Sequence, residues 1–174
     1  MAKPNRTLRF GQPAIVPIEF AADEAAPTET RGAVSIVAQT PRKAPASLVA
    51  KLPAEMRPKR GQVVYYVPIV LTNVSPGSLE GYGGPKLGAT LRSGGETAYQ
   101  IGLGGVAGCD PHGAALSLAS PGDTDQTCVI AAASPKDPLG QIQYAEAPYG
   151  YDNEFRGNQP DYNDSYNLGP ITWR

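Results

Sequence analysis

Apolar residues recur at every second position through several short stretches of this chain, and most of these stretches are bounded by Pro, Gly, Asn or Asp. A period of two turns one side of an extended segment to a core and the other to water. Val16 to Phe20 follows Pro13 and predicts a first strand. Residues 21–31 hold no large apolar side chain and predict a loop; a helical turn over Asp23 to Ala26 would be ended by Pro27. From Gly32 to Thr40, Val34, Ile36 and Ala38 alternate with Ser35, Val37 and Gln39, giving a second strand stopped by Pro41.

Residues 41–61 mix prolines with Arg42, Lys43, Lys51, Arg57, Lys59 and Arg60, which predicts a mobile basic connection from which Leu48, Val49 and Leu52 pack down. The clearest strand runs from Gln62 to Ser75. Val63, Tyr65, Val67, Ile69 and Leu71 form one of its faces, and Val64, Tyr66, Val70 and Thr72 the other. Two apolar faces predict a central strand, covered on both sides. Pro68 has no N–H to give to a ladder, so it requires a bulge or an unpaired edge.

Ser75 to Gly84 is turn-rich, and Leu87 to Leu91 follows as a weak strand. Glu96 to Leu103 alternates Thr97, Tyr99 and Ile101 against Ala98, Gln100 and Gly102. Ser120-Pro-Gly-Asp123 is a turn signal before a strand over Gln126 to Ala133. Pro135 to Gly140 turns again into a strand over Gln141 to Ala145, and Leu168 to Trp173 closes the chain. Seven or eight short strands separated by turns predict an all-β, two-sheet β-sandwich. Residues 10–174 form its single domain, behind a disordered tail over 1–9.

Composition agrees with that class. Twenty Gly and eighteen Pro in 174 residues disfavour helix interiors throughout. A net charge of −1 argues against a nucleic-acid surface, which is ordinarily basic. No run approaches the roughly 18 apolar residues that span a bilayer. The only cysteines are Cys109 and Cys128. In a chain of strands and turns, a lone pair reads as one disulfide and implies an oxidising, extracytoplasmic setting. On the chain-entropy model such a bridge stabilises by roughly 3 kcal/mol. A cytoplasmic chain with two reduced thiols is the alternative.

The candidate chemistry is sparse. Gly102-Leu-Gly-Gly-Val-Ala-Gly108 has no helix after it to receive a pyrophosphate, and reads as a turn. His112, the only histidine, sits in Asp110-Pro-His-Gly without the partners that a zinc or copper site needs. The most suggestive stretch is 148–167, where Tyr149, Tyr151, Tyr162 and Tyr166 intersperse with Asp152, Glu154, Asp161 and Asp164. Tyrosine is a rigid amphipathic anchor, able to stack on sugar rings or peptide side chains while neighbouring carboxylates hydrogen-bond. The acidic spacing there does not match a calcium-binding EF-hand loop. The 76–86 turn, with Gly81, Tyr82 and Gly83, is a second candidate. Asn73 and Asn163 each open an Asn-x-Ser sequon, read as idle.

Val67-Pro-Ile-Val-Leu-Thr-Asn-Val-Ser75, the Pro-Gly-Asp turn at 121–123 before Cys128-Val-Ile-Ala, a strand closing on Tyr144 and the final Gly169-Pro-Ile-Thr-Trp173 together resemble a known group. They look like the immunoglobulin-like (telokin-like) extracytoplasmic domains of actinobacterial lipoproteins, akin to the mycobacterial secreted immunoprotective antigen. The resemblance implies an immunoglobulin-like sandwich, a secreted or lipid-anchored precursor whose signal peptide is absent from this sequence, and no catalytic residues. The expected function is a binding or interaction module, not an enzyme. Its ligand is a protein or a cell-wall glycan, met by Tyr149, Tyr151, Asp152, Tyr162, Asp164 and Tyr166, without cofactor or metal. The alternatives are a hydrolase using carboxylates such as Asp152 and Asp161, and a structural subunit that assembles with copies of itself.

Overall fold

The structure, a computed structural model, describes residues 2–3, 5–21, 29–52, 57–95, 99–101, 116–144 and 170–174. The alternating stretches all become strands. In chain order they are β1 (Thr7–Leu8), β2 (Pro13–Ala21), β3 (Glu29–Ala38), β4 (Arg42–Lys43), β5 (Val63–Asn73), β6 (Leu87–Leu91), β7 (Tyr99–Ile101), β8 (Thr124–Ala133), β9 (Leu139–Tyr144) and β10 (Ile171–Trp173), with one helical turn, α1 (Ala46–Val49), between β4 and β5. They form a four-stranded sheet, β1-β10-β9-β6, and a six-stranded sheet, β2-β3-β5-β8-β7, in which β4 also pairs with β5. The described residues thus contain ten strands where seven or eight were expected. The two unforeseen ones are two residues long, too short to show a period.

The two sheets bury one core. Val16, Val34, Ile36, Ile69 and Leu71 of the larger sheet share it with Ile142, Tyr144, Ile171 and Trp173 of the smaller. Chain order places the strands so that both chain ends join the small sheet. β1 lies parallel to β10, with Thr7 opposite Thr172 and Leu8 opposite Trp173. Residues 7–8, expected in a disordered tail, are therefore strand, and Leu8 is buried. Its side chain needs the core that the last strand completes. The indole of Trp173 donates to the Gln12 carbonyl (2.8 Å), pinning the turn by which the chain leaves β1 for the larger sheet.

β5 is central, as its two apolar faces require. On one side it pairs with β8 without a register shift, from Val63–Ala133 to Thr72–Thr124. On the other it pairs first with β3, up to Ala38–Ile69, and then with β4 from Arg42–Tyr66. Between these pairings, residues 39–41 face only 67–68, so one extra residue bulges out. Gln39 donates to the Pro68 carbonyl (2.9 Å), but Pro68 cannot return the bond. The bulge sits at that missing donor, as proline in a central strand demands.

The second face of β5 has its own cover. Leu52 packs with Val64, Cys128 and Ile130, joined by Ala44, Leu48, Val49 and Tyr66. Residues 44–52 are thus a cap on the outside of the larger sheet, not a mobile connection. Leu48 lies on the helical turn and Leu52 just beyond it, and both pack on that face. Arg57 donates from Nε towards the Leu52 carbonyl (3.4 Å), and Ala44 donates to Val64 (2.9 Å), tying both ends of the cap down.

The free edge of β2 is blunted by sequence. Ile15 turns its carbonyl away from β3 and accepts from Ala2 (2.7 Å). The same alternation places the nitrogens of Pro13 and Pro17 on that open edge, where neither has a hydrogen to offer an incoming strand.

Candidate functional site

β5, β7 and β9 run towards one end of the sandwich, and β6, β8 and β10 run away from it. The connections 74–86, 102–123 and 145–169 therefore all span strands at this end, and so does 22–28, between β2 and β3. In the small sheet, Leu87, Tyr144 and Ile171 stand side by side. The strand ends that bracket 145–169 are therefore neighbours of the strand that follows 76–86.

A buried amide organises this end. Asn73 is only 1 % exposed. Its side-chain nitrogen donates to the carbonyls of Gly77 and Leu118, both at 2.9 Å, while its side-chain oxygen accepts from the Ser75 N–H at 2.8 Å. Its own backbone exchanges bonds with Asp123 and Gly122. One side chain thus joins the start of 74–86 to the end of 102–123. Ser75 continues the brace: its hydroxyl donates to the Ala33 carbonyl (3.0 Å) and accepts from the Ala33 N–H (2.7 Å). Gly32 makes room, since a Cβ there would lie 2.5 Å from Ser75 Oγ and 2.6 Å from Leu79 Cδ2.

Sequence reasoning missed this node. Asn73-Val-Ser75 reads as a sequon, but both hydrogens of the Asn73 amide are already donated inside the fold. The signal that could have found it is an Asn at a strand end, two residues before a Ser and three before Pro76-Gly77. Such a side chain satisfies the backbone that a turn releases.

Tyr82 is also not where display would put it. Its ring is buried and packs against Phe20, with centroids 5.3 Å apart and planes tilted by 49°. The flanking Gly81, with φ 85°, gives the turn the conformation that tucks the ring in. In the 76–86 loop, Leu79 and Tyr82 belong to the core, and Glu80, Gly81 and Gly83 face outward. Nearby, Asp125 accepts from the Ser117 N–H and Asp123 from the Ser120 N–H, both at 2.7 Å, so these carboxylates shape the segment leading into β8.

Tyr149, Tyr151, Asp152, Tyr162, Asp164 and Tyr166 lie outside the described residues, as do Asp161, Cys109, His112 and the glycine-rich run 102–108. Cys128 is described. It is 8 % exposed, lies opposite Pro68 on the outer face of β8, and is not a free thiol. Among the described residues no helix is long and apolar enough to cross a membrane. No family model, curated protein or solved structure matches the chain.

Proposed function

We propose that this chain is an extracytoplasmic binding module of immunoglobulin-like type, whose ligand is a protein or a cell-wall glycan met by residues 148–167. The observation that carries the reading is the shared origin of the long connections. Tyr144, the last described residue before the Tyr-rich segment, pairs with Leu87, where the 74–86 loop ends, and a buried Asn73 ties that loop to the segment entering β8. Variable connections gathered at one end of a rigid sandwich are how such folds present binding surfaces. Within that end Tyr149, Tyr151, Tyr162 and Tyr166 supply the aromatic anchors, and Asp152 and Asp164 the polar contacts.

Thermal unfolding in the presence of cell-wall glycan fragments and of peptides tests this, because a ligand that binds only the native state raises its melting temperature. One class should give a shift that is lost in Tyr151→Ala and Tyr162→Ala. No shift with either class, or one that survives both substitutions, overturns the site. The Cys109–Cys128 bridge belongs to the same proposal. Reductant should lower the melting temperature, and an unchanged value would return the chain to the reduced, cytoplasmic alternative.

A further inference from the structure

A net charge of −1 conceals a gathering of exposed cations at one end of the sandwich. The end opposite Asn73 is built from the 39–62 connection and from the tight turns after β6 and β8. Arg42, Lys43, Lys51, Arg57, Lys59 and Arg60 all lie on the first, and all are exposed. The turns add exposed Arg92 and Lys136. These segments adjoin one another. The turn in which Gln62 donates to Lys59 leads straight into the Val63–Ala133 pair, and Ala133 leads into the turn holding Lys136. That turn in turn holds Ser93, whose N–H and hydroxyl donate to Asp137 at 3.1 and 2.6 Å. Asp137 is the one carboxylate that the described residues place here, and Ser93 occupies both its oxygens.

We infer that the Lys59 end of the sandwich docks on an anionic lipid surface, which stands the domain on that end. The cations come from both sheets, whose layers are about 10 Å apart, so they spread over an end face and do not line a groove or follow a single track. A plane of negative charge fits that spread better than a linear polymer does. The contact is electrostatic: among the described residues the exposed large apolar ones, Ile15 and Val74, both lie elsewhere. The cap is firm enough to present its charges, since Leu52, Leu48 and Val49 hold it on β5 and β8. The inference does not depend on what the opposite end binds.

Sedimentation with phosphatidylcholine vesicles, with and without phosphatidylglycerol, tests it. The chain should sediment with the anionic vesicles alone. It should be released between about 0.1 M and about 1 M NaCl, as the Debye length shrinks from about 10 Å to about 3 Å. Combined Lys43→Glu, Lys59→Glu and Arg60→Glu should lower the vesicle-bound to free ratio by more than about tenfold. Lys3→Glu with Arg6→Glu, at the other end, should leave it unchanged. If the triple reversal melts early, Lys43→Gln, Lys59→Gln and Arg60→Gln replaces it and should show a smaller loss in the same direction. Equal binding to both vesicle types, or full binding by the basic-end variants, overturns the inference. So does retention on heparin without vesicle binding, which would assign the face to a linear polyanion.

Discussion

The two ends of the sandwich are held together by different chemistry. At one, a single buried amide satisfies backbone groups from two loops, and a serine hydroxyl and a glycine gap complete the brace. At the other, an apolar cap closes over the outer face of the larger sheet, and an exposed Ser93–Asp137 clasp joins two short turns. Long connections enclose backbone that water cannot reach, so their end needs interior polar partners. Short turns satisfy their own backbone and leave their side chains to solvent, which is where charge can collect. The difference in anchoring therefore accompanies a difference in what each end can show to a partner.

Substitutions at the two ends should fall in a definite order. Asn73→Ala removes three side-chain hydrogen bonds and strands two carbonyls, and should cost about 3–4 kcal/mol. Denaturant titration reads this as a lower midpoint at unchanged slope; a loss below about 1 kcal/mol would mean that the loops do not depend on the amide. Leu52→Ala should cost about 2–3 kcal/mol by opening a cavity under the cap. It should also weaken binding to anionic vesicles, which Asn73→Ala should not do in the folded fraction. Asp137→Ala is expected to change stability by only about 0.5 kcal/mol, because its bonds are exposed. The same variant should bind anionic vesicles slightly more tightly, having removed the opposing charge. If Asp137→Ala proved as damaging as Asn73→Ala, the contrast between the ends would collapse.

Periodicity made most of this fold legible. The alternation in Gly32–Thr40 and Gln62–Ser75 located β3 and β5 to within a few residues, and the doubly apolar faces of β5 announced a covered central strand. Pro68 announced the interruption beside it. What alternation could not show was decided by distant partners. β1 exists because β10 lies next to it, and β4 because β5 continues past the bulge. Residues 44–52 looked like linker because the surrounding 41–61 stretch holds four prolines and six Lys or Arg, yet Leu48, Val49 and Leu52 meet a face otherwise open to water. Tyr82 sits between glycines and looked displayed, but Phe20, more than sixty positions earlier, takes it into the core. The basic end was half visible in the run from Arg42 to Arg60. The rest came from topology, which brings Arg92 and Lys136 beside that run.

The bond from Trp173 to Gln12 joins positions 161 residues apart in sequence. Along with the β1–β10 pairing, it makes the core a structure that cannot close during synthesis until residue 173 has been added. Before then, the β9 flank reserved for β10, the buried side of Leu8 and the underside of the 9–12 turn have nothing to rest on. Distant contacts of this kind slow folding and lengthen the time a nascent chain spends with apolar surface uncovered. The prolines on the β2 edge acquire a second purpose in that interval. They deny neighbouring unfinished chains an edge to pair with while the molecule waits for its last strand.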